Sequence, residues 1–182
     1  EQQGLTTDSC LQQEQQYSKA GKTVVWVGDE TKVLGIIALA DEIKDDSSQV
    51  VQALKQQGID VVMITGDHKI TAQAIAQQAG IDHVIAQVLP DGKAIEIERL
   101  QQQGKKVAMV GDGINDAVAL TQSDVGIAIG SGSDVAVESA DVVLVKDSLH
   151  DVLTCIHISK AVIRNIKQNL FWAFFYNSLG IP

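Results

Sequence analysis

The hydrophobic and polar positions of the chain follow two patterns, which separate an amino-terminal part from a longer central part. Residues 1–20 are polar and rich in glutamine, and they show only weak periodicity. Two short apolar runs with many β-branched residues follow at 23–28 and 33–40, and the polar segment DETK joins them. This spacing predicts an antiparallel β-hairpin.

From residue 41 the pattern changes to short apolar runs that alternate with longer segments of mixed polarity. We expect strands within 61–67, 83–90, 105–113, 124–130 and 141–146. We expect helices at 47–58, 70–80, 91–104, 114–123 and 133–140. The serines at the start of the first helix are suited to an N-cap. The alternation indicates an α/β fold with a mainly parallel, Rossmann-like sheet covered on both faces. Ligands of such sheets bind beyond the carboxyl ends of the strands.

The carboxyl-terminal part predicts one long helix from residue 149 that runs into the uncharged segment NLFWAFFYNSLGIP. This segment holds all three phenylalanines, but it is shorter than the roughly 20 apolar residues that span a membrane. Two interpretations are open: a buried terminal helix, or the start of a transmembrane helix. Lys160, Arg164 and Lys167 precede the segment and no acidic residue follows Asp151. Cationic residues on the cytoplasmic side of a span favour the second interpretation.

Composition limits the classes of function. The chain has 182 residues, of which 45% are hydrophobic, so it can form a core of ordinary size. Its formal net charge of −9 argues against nucleic acid as the main partner.

Two of the expected strand ends are followed by groups that suit a phosphate. Thr65, Gly66 and Asp67 follow an apolar run, and the hydroxyl and backbone N–H groups there could hold a phosphate oxygen. A simple turn with an N-cap is the alternative for this segment. Lys93 lies in the first turn of a helix, where the helix dipole disfavours a cation. It could neutralise a phosphoryl group in the crevice, or it could be an ordinary surface lysine.

A third strand end carries two carboxylates. Asp112 ends the run KKVAMVGD, and Asp116 falls in the first turn of the next helix. Two carboxylates with water and a substrate phosphate suit Mg²⁺, and the amide of Asn115 could bind a phosphate oxygen. A hydroxyl, a lysine and a carboxylate pair at successive strand ends together predict a phosphoryl-transfer site.

A nucleophile for such a site is harder to find. An aspartate attacked by phosphate is expected at another strand end, and the only candidate is Asp29 in VWVGDET. Asp29 lies between the two strands of the expected hairpin, so a turn residue is the better interpretation.

The segments MITGD, LPDGKA and VAMVGDGINDAVAL, with DVGIAIGSGSDVAVESADVVLV after them, closely resemble the phosphorylation domain of P-type ATPases. That domain belongs to the haloacid-dehalogenase-like superfamily. The resemblance extends from about residue 21 to 182 and is greatest for the heavy-metal class (class IB), especially its copper-transporting members. It implies ATP as the substrate and Mg²⁺ as the cofactor. Thr65 and Lys93 would contact an aspartyl phosphate, Asn115 would help to position it, and Asp112 and Asp116 would hold or approach Mg²⁺.

The resemblance also assigns the remaining motifs. Gly66 and Asp67 would face the nucleotide side of the site. Tyr176 and Asn177 match a Tyr-Asn pair in the membrane helix of copper pumps, and no lysine of the zinc type occurs from residue 168 on. This implies Cu(I) as the transported ion, although an asparagine in an apolar helix can also form a packing hydrogen bond.

Four regions follow from the same resemblance. Residues 1–40 would end a nucleotide-binding domain, and 41–148 would form most of a phosphorylation domain that lacks its DKTGT segment. Residues 149–169 would be a stalk helix, and 170–182 the start of a transmembrane helix. The protein would reside in the cell (inner or plasma) membrane, with residues 1–169 in the cytoplasm and the remainder of the pump as partner.

Departures from the family keep two alternatives open. The DKTGT segment with the phosphorylated aspartate and the cysteine-containing membrane motif are both absent from the chain. A soluble haloacid-dehalogenase-like phosphatase is one alternative to a fragment of a Cu(I)-exporting pump. A non-catalytic, truncated module that binds Mg²⁺ and phosphate is the other.

Overall fold

The computed structural model describes residues 8–29, 31–40, 43–112, 114–130 and 134–180. The helices are α1 (Asp8–Lys19), α2 (Ser47–Gln56), α3 (Lys69–Ala79), α4 (Pro90–Gln102), α5 (Ala117–Gln122), α6 (Asp134–Ser139) and α7 (His150–Gly180). The strands are β1 (Lys22–Gly28), β2 (Val33–Ala40), β3 (Val62–Ile64), β4 (His83–Ile85), β5 (Ala108–Gly111), β6 (Val125–Ile129) and β7 (Val142–Leu144). A 3₁₀ turn at Ile114–Asp116 precedes α5. The α/β class expected from the sequence is confirmed.

The amino-terminal hairpin forms as expected, with β1 and β2 antiparallel and a bulge at Val27/Gly28. Asp29 shapes its turn: the Oδ1 atom accepts hydrogen bonds from the backbone N–H groups of Thr31 and Lys32 and from the Thr31 hydroxyl. Helix α1, which packs against the hairpin, was not expected. Its glutamine-rich sequence favours a helix by propensity but lacks the apolar period that would reveal one.

The parallel strands form two sheets rather than one. β3 pairs with β4, and β6 lies between β5 and β7. Among the described residues no strand pairing joins the two sheets. An ion pair of 3.0 Å between Lys105 Nζ and Asp60 Oδ2 connects the residues just before β5 and β3.

The strand expected over 83–90 is only three residues long. After Ile85 the chain turns through Gln87, whose φ of 60° is the left-handed conformation. The N–H groups of Gln87 and Val88 donate to the carbonyls of Asp67 and Thr65, each at 3.0 Å. Contact with the neighbouring turn therefore replaces further pairing, and Pro90 begins α4.

The core lies on β6. Ile127 and Ile129 are buried against Val152 of α7, and partly buried side chains of β5 and β7 surround them. Burying each such aliphatic side chain contributes about 1.5–3 kcal/mol. Strand β3 is only half-buried along its length, because its sheet has two strands.

The N-cap expected from the serines is wrong. Asp46 is the residue before α2, and Ser47 is already inside the helix and buried. The carboxylate of Asp46 makes no cap bond to α2. It accepts hydrogen bonds instead from the Ser148 hydroxyl at 2.9 Å and from the His150 N–H at 3.1 Å. An aspartate outside the apolar pattern thus connects α2 to the beginning of α7.

Helix α7 is one continuous helix of 31 residues, about 46 Å long. Val152 and Leu153 are buried, whereas every residue from His157 to Gly180 is exposed. The buried terminal helix considered from the sequence is therefore wrong, since the aromatic segment packs on nothing in the described chain. None of the described helices meets the length and hydropathy required of a membrane span.

Glycine at position 126 is required by packing. A Cβ atom there would lie 2.8 Å from the carbonyl oxygen of Leu120, a backbone atom that cannot easily move. We expect Gly126→Ala to lower the free energy of unfolding by about 1–3 kcal/mol, measured by urea denaturation. Gly35→Ala is the matched control, because a Cβ there meets nothing within 4 Å. Equal stability of the two variants would contradict this packing account.

Asp124 should make stability sensitive to acid. Its carboxylate accepts hydrogen bonds from Lys106 Nζ, the Val107 N–H and Gln101 Nε2, which hold its pKa well below the ordinary value. The stabilisation is complete above the pKa of the unfolded carboxyl, about 3.9, and is lost as the pH falls towards the folded value. We expect Asp124→Asn to flatten the decline of the urea midpoint below pH 4. A decline as steep as that of the unsubstituted protein would contradict this assignment.

Candidate functional site

Three loops that follow strands or precede helices carry the residues singled out from the sequence. Thr65, Gly66 and Asp67 follow β3, and Asp112 follows β5 directly. Lys93 lies in the first turn of α4, and Asp116 ends the 3₁₀ turn before α5. Because β3 and β5 each belong to a parallel sheet, these loops lie at carboxyl ends, where such sheets bind ligands.

The Thr65–Asp67 turn is closed by its own side chains. The Thr65 hydroxyl donates to Asp67 Oδ2 at 2.9 Å and accepts from the Asp67 N–H at 3.1 Å. Both residues are half-buried and Gly66 is exposed. The N-cap position of α3 is His68, whose side chain makes no cap hydrogen bond, so the turn is present without a side-chain N-cap. A ligand that takes the Thr65 hydroxyl must exchange with Asp67.

Lys93 points inwards and pairs with Asp116. Its Nζ atom lies 2.6 Å from Asp116 Oδ1, and the two side chains are only 18% and 11% exposed. A solvated surface lysine is therefore wrong. The helix dipole disfavours a cation in this turn, and the Asp116 carboxylate compensates for it.

Gly111 lets Asp116 take this position. A Cβ atom at residue 111 would lie 2.8 Å from both Cβ and Oδ2 of Asp116. The aspartate side chain thus lies against the backbone of β5, and any larger residue at 111 would displace it. This requirement cannot be recognised from the sequence, because a glycine before Asp112 suggests only a turn.

The two aspartates occupy different environments. Asp116 is buried and paired with a cation, whereas Asp112 and Asn115 are exposed at the end of β5 and in the 3₁₀ turn. The sequence analysis assigned Lys93 to phosphate and Asp116 to a metal. The structure brings these two side chains into contact with each other.

The donor set fits Mg²⁺ in its chemistry. Two carboxylates separated by four positions offer hard oxygen ligands, and Mg²⁺ commonly uses one or two carboxylates together with water and substrate phosphate. Within the described residues no group of three or more His, Cys, Asp or Glu side chains could hold a metal ion.

The other pair of expected site residues lies apart from these loops. Tyr176 and Asn177 are exposed near the far end of α7, within the aromatic segment. Phe171 stacks with Phe175, and Trp172 meets both rings edge-on. The structure does not bring Tyr176 and Asn177 together with the phosphate-type residues.

Sequence reasoning also missed the support beneath the Thr65 turn. The N–H groups of Gln87 and Val88 brace it from the loop after β4. A single glutamine in the left-handed conformation gives no clear signal in the sequence, because glutamine is not among the residues enriched there.

Comparison with known proteins gives consistent relationships. A family model described as haloacid dehalogenase-like hydrolase matches residues 2–124. The probable copper-importing P-type ATPase A of Enterococcus hirae is 53% identical over 98% of this chain and 25% of its own length. The copper-exporting P-type ATPase of Bacillus subtilis is 51% identical over 96% of this chain and 22% of its own length.

A solved structure of a zinc-transporting PIB-type ATPase in the E2.Pi state matches with a TM-score of 0.78 and 36% identity. The match covers 98% of this chain and 30% of that structure. The chain thus spans about a quarter of the length of the curated relatives it matches. The resemblance to copper-transporting P-type ATPases is confirmed, and the chain belongs to the haloacid-dehalogenase-like hydrolase family.

Proposed function

We propose that the chain forms part of an ATP-driven, Cu(I)-exporting P-type pump and contributes the acceptor half of its phosphoryl-transfer site. In the intact enzyme the bond between the γ-phosphorus of ATP and its bridging oxygen breaks, and a carboxylate oxygen of an aspartate bonds to the phosphorus. ADP leaves, and water later hydrolyses the aspartyl phosphate. The aspartate is supplied by a segment that is absent from this chain.

The observation that carries this proposal is the arrangement of the two parallel sheets around the candidate residues. Thr65 follows β3 in one sheet and Asp112 follows β5 in the other, and no pairing of described strands joins the sheets. Adjacent strands are about 4.8 Å apart, so space for one extra strand requires about 10 Å between β3 and β5. The side chain of Lys105 is long, so its ion pair with Asp60 can form across that separation.

A strand between β3 and β5 would complete the site. Its carboxyl end would project an aspartate between Thr65 and Asp112, where the nucleophile is missing. It would also give β3 a second neighbour, which it does not have among the described strands, and this accounts for the half-exposure of β3. The DKTGT segment of the family has the required form, a carboxylate after an apolar strand.

Each candidate residue then has a role. Lys93 exchanges Asp116 for a phosphoryl oxygen, and the Thr65 hydroxyl exchanges Asp67 in the same way. Asn115, exposed in the 3₁₀ turn next to Asp116, donates its amide to the phosphate. When bound, Mg²⁺ would neutralise charge on the phosphoryl group, and Asp112 and Asp116 are the residues that would hold it.

The two remaining candidate residues, Gly66 and Asp67, lie on the side of the site that faces the nucleotide. Gly66 is exposed, so a ligand can approach its backbone closely. Asp67 maintains the turn until the ligand binds.

The assignment of copper is supported by the relatives and by the helix sequence. Relatives described as copper-transporting or copper-exporting are 51–56% identical, whereas the zinc-transporting structure is 36% identical. Tyr176 and Asn177 are the candidate ligands, and no lysine accompanies them from residue 168 on. One similar relative is described as copper-importing, so export is the direction that the experiment must test.

The division of the chain follows from this proposal. Residues 1–40 belong to the nucleotide-binding domain and 41–148 to the phosphorylation domain. Residues 149–169 form a cytoplasmic stalk, and the exposed aromatic segment from 170 onward enters the membrane. An apolar surface of this kind marks a contact with a membrane or another protein.

A soluble phosphatase is the weaker alternative. Its nucleophile would have to be Asp29, whose Oδ1 atom is engaged by three donors within the hairpin turn. A soluble phosphatase would also give the exposed aromatic part of α7 no function.

The complete gene product in membrane vesicles tests the proposal. We expect ATP hydrolysis that Cu(I) stimulates, a covalent phosphoenzyme, and movement of Cu(I) out of the cytoplasmic side. Asp112→Asn should lower hydrolysis at least about 100-fold, as is typical when one charge-stabilising group is removed. Asp91→Asn, an exposed aspartate of α4, is the matched control and should keep its activity.

Four outcomes would contradict parts of the proposal. Stimulation by Zn²⁺ but not Cu(I), or by Cu(I) equally in Asn177→Ala, would overturn the metal assignment. Movement of Cu(I) into the cytoplasmic side would overturn export. Phosphate-ester hydrolysis by the isolated 182-residue chain, abolished in Asp29→Asn, would favour the phosphatase.

The resting contact of Lys93 with Asp116 can be tested on the chain itself. Lys93→Met leaves a buried carboxylate without its cation, which typically costs about 3–5 kcal/mol. Lys105→Met removes an ion pair whose side chains are 57% and 72% exposed and should cost less than about 1 kcal/mol. Urea denaturation at pH 7 measures both, and equal losses would contradict the buried ion pair.

A further inference from the structure

Helix α2 contacts the beginning of α7 through polar groups at both of its ends. At the amino end, the Asp46 carboxylate accepts from the Ser148 hydroxyl and from the first N–H of α7, that of His150. Burial acts to raise the pKa of Asp46, but these hydrogen bonds hold it below the ordinary value. Lys44 forms an ion pair with Asp147 beside them. Three contacts therefore fasten this end.

At the carboxyl end, Gln57 reaches a second site on α7. Its Oε1 atom accepts from Lys160 Nζ at 2.7 Å, and its Nε2 atom lies 3.1 Å from Nε2 of His157. His157 is about 10 Å further along the helix than His150. Two points at this separation fix the direction of α7 relative to α2, whereas one point would leave it free to pivot.

The two helices belong to different halves of the fold. The chain passes from α2 into β3 and then to Thr65, whereas α7 follows β7 and covers β6 through Val152. No described strand pairing joins these halves. The α2–α7 contact therefore links the half that carries Thr65 with the helix that leaves the domain.

We infer that α2 is a strut that fixes the direction of α7 relative to the β3 half of the fold, with Asp46 and Gln57 as its positioning residues. Both end contacts are polar and join the half-buried Asp46 and Gln57 to exposed residues of α7, and partly exposed polar contacts add little stability. Their effect is on orientation. The strut is a property of this chain and does not depend on the proposed function.

Distances between spin labels test the strut on the chain as it exists. With Cys10→Ser and Cys155→Ser as background, one label pair joins Gln77 of α3 to Gln168 of α7. A second pair joins Glu138 of α6 to Gln168. All three label positions are exposed, and double electron–electron resonance gives the width of each distance distribution.

We expect Asp46→Ala with Gln57→Ala to broaden the Gln77–Gln168 distribution at least twofold and to leave the Glu138–Gln168 distribution unchanged. The reason is that α7 keeps its packing on β6 but loses the hydrogen bonds of Asp46 and Gln57 at both ends of α2. Asp45→Ala with Gln56→Ala is the matched control, because both of these neighbouring side chains are exposed. This control should leave both distributions narrow.

Each remaining outcome overturns the inference. Two unchanged distributions would show that the end contacts do not orient α7. Equal broadening of both would show that α7 merely frays at its start.

Asp46→Asn keeps an oxygen that can accept from the His150 N–H. This variant should therefore retain the narrow Gln77–Gln168 distribution even if Asp46→Ala folds poorly. None of these readouts requires ATP hydrolysis or copper, so failure here is distinct from failure of the proposed pump.

Discussion

The contact between Lys93 and Asp116 is the interaction on which the candidate site depends. It places a cation at the start of α4, where the helix dipole opposes it, and a carboxylate against the backbone of β5. The attraction between the two charges offsets the cost of removing each from water in a largely buried position. The requirement for glycine at 111 follows from the position that Asp116 takes against β5. The Lys93–Asp116 pair therefore carries no net charge.

Much of this arrangement can be predicted from the sequence. Apolar strands between helices gave the α/β class, and the positions of Thr65, Lys93 and Asp112 after or before regular elements followed from the same pattern. The partners of these side chains could not be predicted. Whether Lys93 faces water or Asp116 depends on the packing of two helices, which the pattern of a single helix does not encode. The bond of Asp46 to α7 joins residues 104 positions apart, and short-range capping rules favoured the nearby serines instead.

The division of the parallel strands into two sheets could not be predicted either. Alternation of strands and helices indicates parallel pairing but does not specify which strands are neighbours. β6 is buried along most of its length because it has neighbours on both sides, whereas β3 is half-buried with one. The burial of its side chains therefore distinguishes a strand with neighbours on both sides from a strand with one neighbour, even where the two sequences are equally apolar.

The exposed length of α7 has a mechanical consequence. Residues 157–180 extend about 36 Å beyond the packed base of the helix. A rigid rod of that length acts as a lever, so a tilt of about 10° at the base moves its far end by about 6 Å. A tilt at the base too small to rearrange a core would therefore move Tyr176 and Asn177 by more than the length of a side-chain contact. The length of the helix, rather than any single residue on it, sets this amplification.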